Sequence, residues 1–277
     1  MATRGWTADI LRVRLMPSLS GRCALVTGST QGLGLAAVRH LAAAGCHVVL
    51  NGLADARDVT ALRREIEETH RVRTLFDDAD LRHPLQIERM TTAAIETFGA
   101  IDILVNNAVV RHTAPVEQFT TADWDAAIAV NLSAAFHTIR AALPAMKLRR
   151  WGRIINVSSI YGLRGAPNRA GYVTTKTALI GLTRAVSLET AGLGITCNAI
   201  CPGTSETPVH DASVLGLMAD DGLSREDAVR RVLAGKQPSG RLISPDAVAG
   251  LMVFLCGDAA ADVTGATLPI DGGWAAS

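Results

Sequence analysis

The chain has 277 residues, a formal net charge of +1 at pH 7 and 19% charged side chains. Such a nearly neutral chain offers no electrostatic basis for binding nucleic acid or an anionic membrane surface. Its length fits a single α/β sheet domain with a large core, so any partner has to be predicted from a local site.

The first 18 residues, MATRGWTADILRVRLMPS, carry arginines and no long apolar segment, which argues against a secretory signal. Asp9 and the short length argue against the alternative of a mitochondrial presequence. We expect residues 1–18 to be an appended tail, with Met16 as the natural start, followed by one domain over residues 19–277.

Five cysteines are scattered through apolar stretches without the spacing of a disulfide framework. This usage predicts reduced thiols and a cytoplasmic protein. Cys197 and Cys201, four residues apart on a predicted strand, are interpreted as packing residues, so no metal site is predicted. No apolar run reaches about 18 residues, so no transmembrane helix is expected.

From residue 23 onward, short apolar segments alternate with longer helical patterns. The apolar segments are continuous, which predicts strands buried on both faces and therefore a parallel sheet flanked by helices. The segment 204–240 fits two short amphipathic pieces at the carboxyl edge of the sheet, where lids over active sites are found. We predict strands at 23–28, 47–51, 72–76, 102–106, 152–158, 194–200 and 266–270, and helices at 32–44, 56–70, 84–98, 121–146, 170–191 and 245–256.

The segment VTGSTQGLG joins the first predicted strand to the first helix. Its glycines Gly28, Gly32 and Gly34 permit a tight turn and a close approach of the backbone, so a pyrophosphate can lie at the helix amino terminus. An ordinary strand-to-helix turn is the alternative, because a glycine-rich turn alone is a weak signal. The strand, turn and helix context favours a dinucleotide site.

The spacing T-G-x-x-x-G-x-G marks the short-chain dehydrogenase/reductase family, and the chain resembles that family over about 21–277. The resemblance also rests on DADL at the third strand, NNA at 106–108, Asn131 in AVNLSAAF, IINVSS, Tyr172 with Lys176, and CPG at 201–203. It implies a single Rossmann-type, doubly wound parallel sheet of about seven strands with a helical lid. It also implies a nicotinamide cofactor held by Gly28, Thr30, Gln31, Gly32, Leu33, Gly34, Asn51, Asp80, Leu81, Asn107, Ala108, Tyr172, Lys176, Pro202, Gly203 and Thr207.

Within that set, the resemblance assigns the adenine pocket to Asp80 and Leu81 and the carboxamide to Thr207. We favour NAD over NADP because LNGLADAR offers no basic residue before Arg57 to hold a 2′-phosphate, and Gln31 lies in the turn. NADP stays open, since Asn51 stands where an acidic residue would grip a free ribose diol.

Tyr172 and Lys176 lie one helical turn apart, and Arg169 shares their face if RAGYVTTK is helical. A phenol releases its proton near pH ~10 in water, so it acts as a base only when a nearby cation stabilises the phenolate. We expect Tyr172 to be the general acid/base and Lys176 to stabilise its anion. The family resemblance adds Lys176 as a ribose ligand, Ser159 as donor to the reacting oxygen, and Asn131 as holder of a water on the proton path.

Several stretches, among them WDAAIAVNLSAAFHTIRAALPAMK, ITCNAICPG, KQPS and DGGW, resemble the 3-hydroxybutyrate dehydrogenase branch. That branch implies NAD-dependent oxidation of (R)-3-hydroxybutyrate to acetoacetate by a homotetramer. The chain departs from it around the substrate carboxylate. Arg111, Tyr161 and Arg169 replace glutamine, histidine and lysine, and Ser213, with His210 close by, replaces a lid glutamine.

We therefore predict retained chemistry on a small anionic hydroxy acid, bound by Arg111, Ser159, Tyr161, Arg169, Tyr172, His210 and Ser213. Two guanidiniums favour bidentate anion binding, which suits carboxylates, phosphonates and sulfonates. The alternative is that the arginines are structural, with Arg111 paired to Glu117 and Arg169 to Asp211.

Three further functions are alternatives at this stage. The first is an NADP-linked reductase of a sugar-derived or cyclic ketone. The second is a nucleotide-sensing protein that binds without turnover, against which the four candidate catalytic residues argue. The third is a purely structural oligomer, which requires that no dinucleotide binds.

Overall fold

The computed structural model describes residues 18–277, so the tail predicted at 1–18 lies, apart from Ser18, outside the described residues. Within them, the strands form one parallel sheet in the order β3-β2-β1-β4-β5-β6-β7. The strand order reverses between β1 and β4, and the crevice at such a reversal is where open α/β sheets bind ligands. The strands are β1 Cys23–Val26, β2 His47–Asn51, β3 Thr74–Asp77, β4 Ile103–Asn106, β5 Gly152–Val157, β6 Ile195–Pro202 and β7 Thr267–Ile270.

Helices cover both faces of this sheet. The helices α1, α2 and α9 pack on one face, and α3, α5 and α6 on the other. The described helices are α1 Gly32–Ala43, α2 Ala56–His70, α3 Pro84–Phe98, α4 Thr121–Ile128, α5 Ala134–Arg149, α6 Ala170–Thr190, α7 Pro208–Asp221, α8 Arg225–Val232 and α9 Pro245–Cys256.

The central strand β1 shows why the apolar segments are continuous. Ala24 and Val26 belong to the core under α1 and α9, whereas Cys23 and Leu25 belong to the core under α3 and α5. Side chains alternate between the two faces of a strand, and both faces are covered here. Every position of β1 is therefore buried, as the sequence pattern predicted.

Most element bounds agree with the prediction, and α2, α3 and α9 agree at both ends. Two strands differ for backbone reasons. The strand β1 stops at Val26, short of the predicted residue 28, because Gly28 turns the chain with a φ of +60°. The strand β3 starts at Thr74 rather than 72, since Arg71 ends α2 in the left-handed conformation at a φ of +56°.

The single helix predicted at 121–146 is wrong in one respect. A π-helical turn at Ala129–Ser133 separates α4 from α5. The combined segment Thr121–Arg149 is long and apolar enough to cross a membrane by length and composition alone. In this fold, Asn131 and Thr138 on that segment hydrogen bond to the ends of the sheet and its neighbours, at Val110 and Asn106.

The segment predicted as a lid contains α7 and α8, which pack against each other beyond the carboxyl end of β6. Its base is fixed by Gln237, a buried side chain that accepts a hydrogen bond from the Thr204 backbone and donates to the Arg241 carbonyl at 2.6 Å. Ser205 also forms a parallel bridge with Ile243. The two ends of the lid are thus joined to each other where they leave the sheet.

All five cysteines are buried and unpaired, as predicted. Burial raises the pKa of each thiol, to about 12 for Cys46 and Cys197. Cys197 and Cys201 lie inside β6 and pack in the core. Within residues 18–277 no group of three or more His, Cys, Asp or Glu side chains is arranged to hold a metal ion.

Candidate active site

A cleft of about 620 Å³ opens at the carboxyl ends of β1, β4, β5 and β6. The glycine turn forms one wall and the lid forms the other. Most of the predicted catalytic and substrate residues line this cleft: Arg111, Ser159, Tyr161, Arg169, Tyr172, Lys176, His210 and Ser213. From the predicted cofactor set it is lined by Gly28, Gln31, Gly32, Leu33, Asn107, Pro202, Gly203 and Thr207.

The glycine turn leaves the first helix open at its amino terminus. The N-cap residue of α1 is Gln31, and its side chain makes no capping hydrogen bond. A Cβ atom on Gly34 would overlap the Gly28 carbonyl and come within 2.6 Å of the Asn107 side chain. The free N–H groups and the positive end of the helix dipole are thus available to a pyrophosphate, and the residues present fit a dinucleotide.

Asn107 supports this turn from the neighbouring strand β4. Its side-chain amide donates to the carbonyls of Thr27 and Gly28, at 3.0 and 2.8 Å. The Thr27 hydroxyl accepts from the backbone N–H groups of Asn107 and Ala108. Ala108 itself lies against Gly28, where a Cβ atom would meet its Cα at 2.8 Å. Ala108 therefore shapes the turn but does not line the cleft.

Asn51 holds the turn from the other side. Its buried amide accepts from the Gly28 N–H at 3.2 Å and donates to the carbonyls of Asp77 and Ala79. These bonds use both of its donors within the protein. Asn51 does not line the cleft, and neither does Thr30, which packs against Gly52.

The predicted adenine pocket is also placed outside the cleft. Asp80 pairs with Arg82 at 2.5 Å, and this hydrogen bond, opposed by partial burial, lowers the pKa of the carboxyl to about 2. Leu81 is buried in the core and borders a separate cavity. Of the predicted cofactor residues, Thr30, Gly34, Asn51, Asp80, Leu81 and Ala108 are therefore not lining residues of the cleft.

Two adjacent serines follow β5 and have different partners. The Ser158 hydroxyl donates to the Lys176 carbonyl at 2.7 Å. The Ser159 hydroxyl accepts from the Tyr161 backbone N–H at 3.1 Å, which leaves its own proton free to donate. Ser159 thus has a free donor at the place where a reacting oxygen would lie, and Ser158 joins β5 to α6.

Tyr172 and Lys176 come from the first turns of α6, with the ammonium 5.8 Å from the centroid of the phenol ring. Lys176 is 2% exposed and donates to the Val157 carbonyl at 2.7 Å. Burial, followed by the charge of Arg111, lowers the pKa of the Lys176 ammonium to about 7. When this lysine is charged, its field favours the phenolate of Tyr172.

Asn131 lies on the π-helical turn, and such turns occur frequently at functional sites. Its side chain accepts from the Val110 N–H at 2.8 Å and donates to the Val110 carbonyl at 3.0 Å and the Thr175 hydroxyl at 3.3 Å. It joins the loop after β4 to α6 and does not line the cleft. Its predicted part in holding a water stays a prediction.

The two substituted arginines face the tyrosines. The Arg111 guanidinium carbon lies 5.6 Å from the centroid of the Tyr172 ring, and that of Arg169 lies 5.8 Å from Tyr161. Arg169 lies just before the helix, outside the predicted bounds of 170–191, so RAGYVTTK is helical only from Ala170 onward. It is the N-cap residue of α6, with a φ of −132°, and follows the left-handed Asn168. Its side chain still reaches the same cleft.

His210 lies on the first turn of the lid helix α7. Its Nδ1 donates to the Ser205 carbonyl at 2.8 Å and lies 3.1 Å from the Thr207 hydroxyl. Burial lowers the pKa of His210, and the charges of nearby cations act in the same direction. The hydrogen bond to Ser205 opposes them but does not cancel the shift. Ser213, one turn further, is exposed and donates to the Val209 carbonyl.

Ten residues that line the cleft were not predicted as site residues: Val109, Val157, Ser158, Ile160, Thr204, Ser205, Pro208, Val209, Lys236 and Trp274. Lys236 enters the cleft from the KQPS stretch, and Trp274 from DGGW, with its ring 5.4 Å from that of Tyr161. Both stretches supported the family resemblance, which was the available signal. Ser158 and Val109 also line it, and Val109 replaces a usual glycine without a positive φ. His112 pairs with Asp123 at 3.0 Å, away from the reacting groups.

Comparison with known proteins agrees with this geometry. The sequence pattern of the short chain dehydrogenase family matches residues 22–215. A D-beta-hydroxybutyrate dehydrogenase from Cupriavidus necator is 44% identical over 259 residues, which cover 93% of this chain and 99% of the relative. A protein of the same name from Rhizobium meliloti is 41% identical over 92% of this chain and 99% of its own length.

Solved structures share the fold closely. The L-sorbose reductase from Gluconobacter frateurii, solved with NADPH and L-sorbose, has a TM-score of 0.87 at 29% identity, over 93% of this chain and 97% of its own. Levodione reductase has a TM-score of 0.84 at 32% identity, over 93% and 99% of the two chains. With the family pattern matched over most of its length and the Tyr172–Lys176 pair in the cleft, the chain belongs to the short-chain dehydrogenase family.

Proposed function

We propose that the protein oxidises the secondary alcohol of a small anionic hydroxy acid to the ketone with NAD, the substrate being (R)-3-hydroxybutyrate or a close analogue. The chain is an NAD(P)-dependent oxidoreductase acting on CH–OH groups. One observation carries the choice of substrate. Arg111 and Arg169 line the same cleft as Ser159, Tyr172 and Lys176, so an anion is held beside the proton-transfer group.

The residues of the chain supply the proton chemistry. The free donor of Ser159 binds the carbinol oxygen, and the Tyr172 phenolate takes the hydroxyl proton as the carbon–oxygen double bond forms. Lys176, in its charged form, stabilises the phenolate. A nicotinamide held by the residues of the glycine turn would supply the hydride acceptor, so that the overall reaction would be alcohol plus NAD⁺ to ketone, NADH and one proton.

NAD is proposed over NADP because of the charges near the end of β2. Arg57 lies next to Asp55, at 3.7 Å, and its side chain is 93% exposed. The glycine turn holds Gln31, which is uncharged, and Asn51 is bonded to the backbone. A 2′-phosphate would therefore find no cation already directed at it.

The test of the proposed function is NADH production from (R)-3-hydroxybutyrate by the purified protein and by Tyr172→Phe. We expect a loss of ~10³-fold in kcat for Tyr172→Phe, the size of general acid/base effects, with NADH affinity unchanged. Tyr161→Phe is the comparison variant, because it removes the other tyrosine hydroxyl in the cleft. As a change at a predicted substrate-binding residue it should act on KM and keep kcat within about fivefold. Equal losses of kcat in both variants, or an undiminished kcat in Tyr172→Phe, would contradict the assignment.

A second candidate is an NADP-dependent reductase of a sugar-derived ketone. The likeness to the NADPH-bound L-sorbose reductase favours it. The cationic cleft weighs against it, because a neutral sugar leaves Arg111 and Arg169 without a partner. The ratio of kcat/KM for NAD to that for NADP separates the two, and we expect a preference for NAD of at least tenfold.

We also propose a cytoplasmic homotetramer. The reduced, buried cysteines are compatible with a reducing compartment. Exposed apolar side chains on α5 and α6, Phe136, Leu148 and Leu188, and the position of β7 at the edge of the sheet support contacts between copies. Fractionation of cells with an antibody to the protein tests the location.

A further inference from the structure

The substrate end of the cleft collects more positive charge than a carboxylate needs. Arg111, Arg169 and Lys236 all line it, from the loop after β4, the start of α6 and the end of the lid. No aspartate or glutamate of residues 18–277 lines the cleft with them. Lys236 was not among the predicted site residues.

The structural pairings considered for the arginines do not occur among the described residues. Asp211, the expected partner of Arg169, instead pairs with Arg225 at 3.3 Å. Arg111 forms no ion pair with Glu117, and its guanidinium lies over the Tyr172 ring. The Lys236 ammonium donates one hydrogen bond to the Val232 carbonyl at 2.8 Å, which leaves two of its three N–H donors free.

The three cations act on one common neighbour, His210, and Arg169 also acts on Lys236. Burial, followed by the charge of Arg169, lowers the pKa of Lys236. The charges of Arg111, Lys236 and Arg169 all lower the pKa of His210. Like charges held together without a counter-ion are unfavourable, so an anion bound among them gains the attraction of all three.

The anionic groups that the proposed hydroxy acid site could bind differ in their charge and in their number of oxygen atoms. A carboxylate brings one negative charge and two oxygens, and a sulfonate brings one charge and three oxygens. A phosphate monoester carries about −1.5 to −2 charges near neutral pH on three terminal oxygens. A carbon-linked phosphonate has the same three oxygens and, although it is a weaker acid, is mainly a dianion at about pH 8. Three separate cationic donors match three oxygens, and their charge matches a dianion better than a monoanion.

We propose that Arg111, Arg169 and Lys236 bind a dianionic phosphonate, so that the preferred substrate carries –PO₃²⁻ where 3-hydroxybutyrate carries its carboxylate. This inference rests on the proposed function, because the same cleft performs the oxidation. Attachment through carbon keeps the distance between the carbinol and the head group the same as in 3-hydroxybutyrate.

The kinetic test compares three substrates that differ only in the anionic group, (R)-3-hydroxybutyrate, (R)-2-hydroxypropanesulfonate and (R)-2-hydroxypropylphosphonate, at about pH 8. We expect kcat/KM for the phosphonate to exceed that for the carboxylate at least 100-fold and that for the sulfonate at least tenfold. A preference for carboxylate or sulfonate would overturn the phosphonate inference and leave the proposed function in place.

Variants locate the effect on the lid lysine. Lys236→Gln should raise KM for the phosphonate at least tenfold more than it raises KM for the carboxylate, because the dianion loses more attraction than the monoanion when one positive charge is removed. Lys147→Gln is the matched control, because Lys147 is exposed on α5 and does not line the cleft. Equal effects of Lys236→Gln on all three substrates would mean that Lys236 only supports the lid, and would overturn its assignment.

A binding measurement keeps this inference separate from the reaction. Titration calorimetry of the protein saturated with NADH should show methylphosphonate binding at least tenfold more tightly than methanesulfonate or acetate, and Lys236→Gln should abolish that preference. If no substrate is oxidised but this preference holds, the proposed function fails and the anion site stands. If the three anions bind equally, the anion site fails even where 3-hydroxybutyrate is oxidised.

Discussion

The adjacent serines after β5, Ser158 and Ser159, differ in role: the first supports the fold and the second can contact the substrate. Ser158 donates to the Lys176 carbonyl, whereas Ser159 keeps its proton free because its oxygen already accepts from Tyr161. Both side chains are buried, at 3% and 6% exposed. Their different hydrogen bonds predict different effects of an alanine substitution: a loss of activity at Ser159 and a loss of stability at Ser158.

We expect Ser159→Ala to lower kcat by ~10²-fold or more, the usual loss for one donor to a developing oxyanion, with little change in the free energy of unfolding. Ser158→Ala should instead lower the free energy of unfolding by about 1–3 kcal/mol, because the buried Lys176 carbonyl loses its donor. Urea unfolding and kcat measured on both variants check this, and a kcat loss larger in Ser158→Ala would contradict it.

Lys176 makes stability depend on pH in a direction that can be stated. Burial, followed by the charge of Arg111, lowers the pKa of Lys176 in the folded protein from 10.5 to about 7. Above pH 7 and up to about 10, the unfolded chain therefore holds a proton that the folded chain has released. The cost of charging Lys176 is complete below pH 7 and falls as the pH rises.

The prediction compares the protein with Lys176→Met between pH 7 and pH 9. The free energy of unfolding of the protein should rise with pH relative to that of the variant, which lacks the titrating group. The comparison cancels the buried cysteines, since both proteins contain them. Parallel pH profiles from urea unfolding would show that Lys176 is charged in the folded protein throughout.

Among the elements, the lid depends on one buried amide at its base. Gln237 bonds the Thr204 backbone and the Arg241 carbonyl, and a Cβ atom on Gly203 would lie 2.5 Å from its side-chain oxygen. Lys236 precedes it, so the residue that fixes the lid also orients the lysine of the cleft. Exposed ion pairs on the lid, such as Arg225 with Glu206, contribute little by comparison.

We expect Gln237→Leu to lower the free energy of unfolding by about 1–3 kcal/mol, because the buried Thr204 N–H and the partly buried Arg241 carbonyl lose their partner. It should also raise KM for the hydroxy acid at least tenfold while the affinity for NADH changes less than threefold. Gln118→Leu, at an exposed glutamine, is the control. An unchanged KM would show that the lid closes without this anchor.

Some elements of the structure could be predicted from the sequence and others could not. Continuous apolar segments determine strands because burial on both faces requires them, so the sheet was predictable. The π-helical turn at Asn131 was not, because no local sequence pattern marks it and the hydrogen bonds of Asn131 with Val110 form only in the folded chain. Lys236 was missed because its place in the cleft depends on how the lid folds back, which no local pattern records.

At the scale of the whole molecule, the surface predicts association. Leu188 on α6 is 81% exposed and Leu148 on α5 is 87% exposed, although both belong to helices that pack on the sheet. We expect light scattering after gel filtration to give about 116 kDa, four copies of the 29.1 kDa chain. Leu188→Asp should reduce this mass, whereas Leu85→Asp, on a residue 79% exposed at the start of α3, should not. A monomer in the unsubstituted protein would contradict the tetramer.

The five buried thiols can be used as probes of local unfolding. Alkylating reagents attack thiolates, and burial holds each sulfur protonated and out of reach until its surroundings separate. The cysteines sit in different places: Cys23 on β1, Cys46 before β2, Cys197 and Cys201 on β6, and Cys256 at the end of α9. The order in which they take up a label, read by mass spectrometry, therefore reports which part of the sheet parts from its helices first.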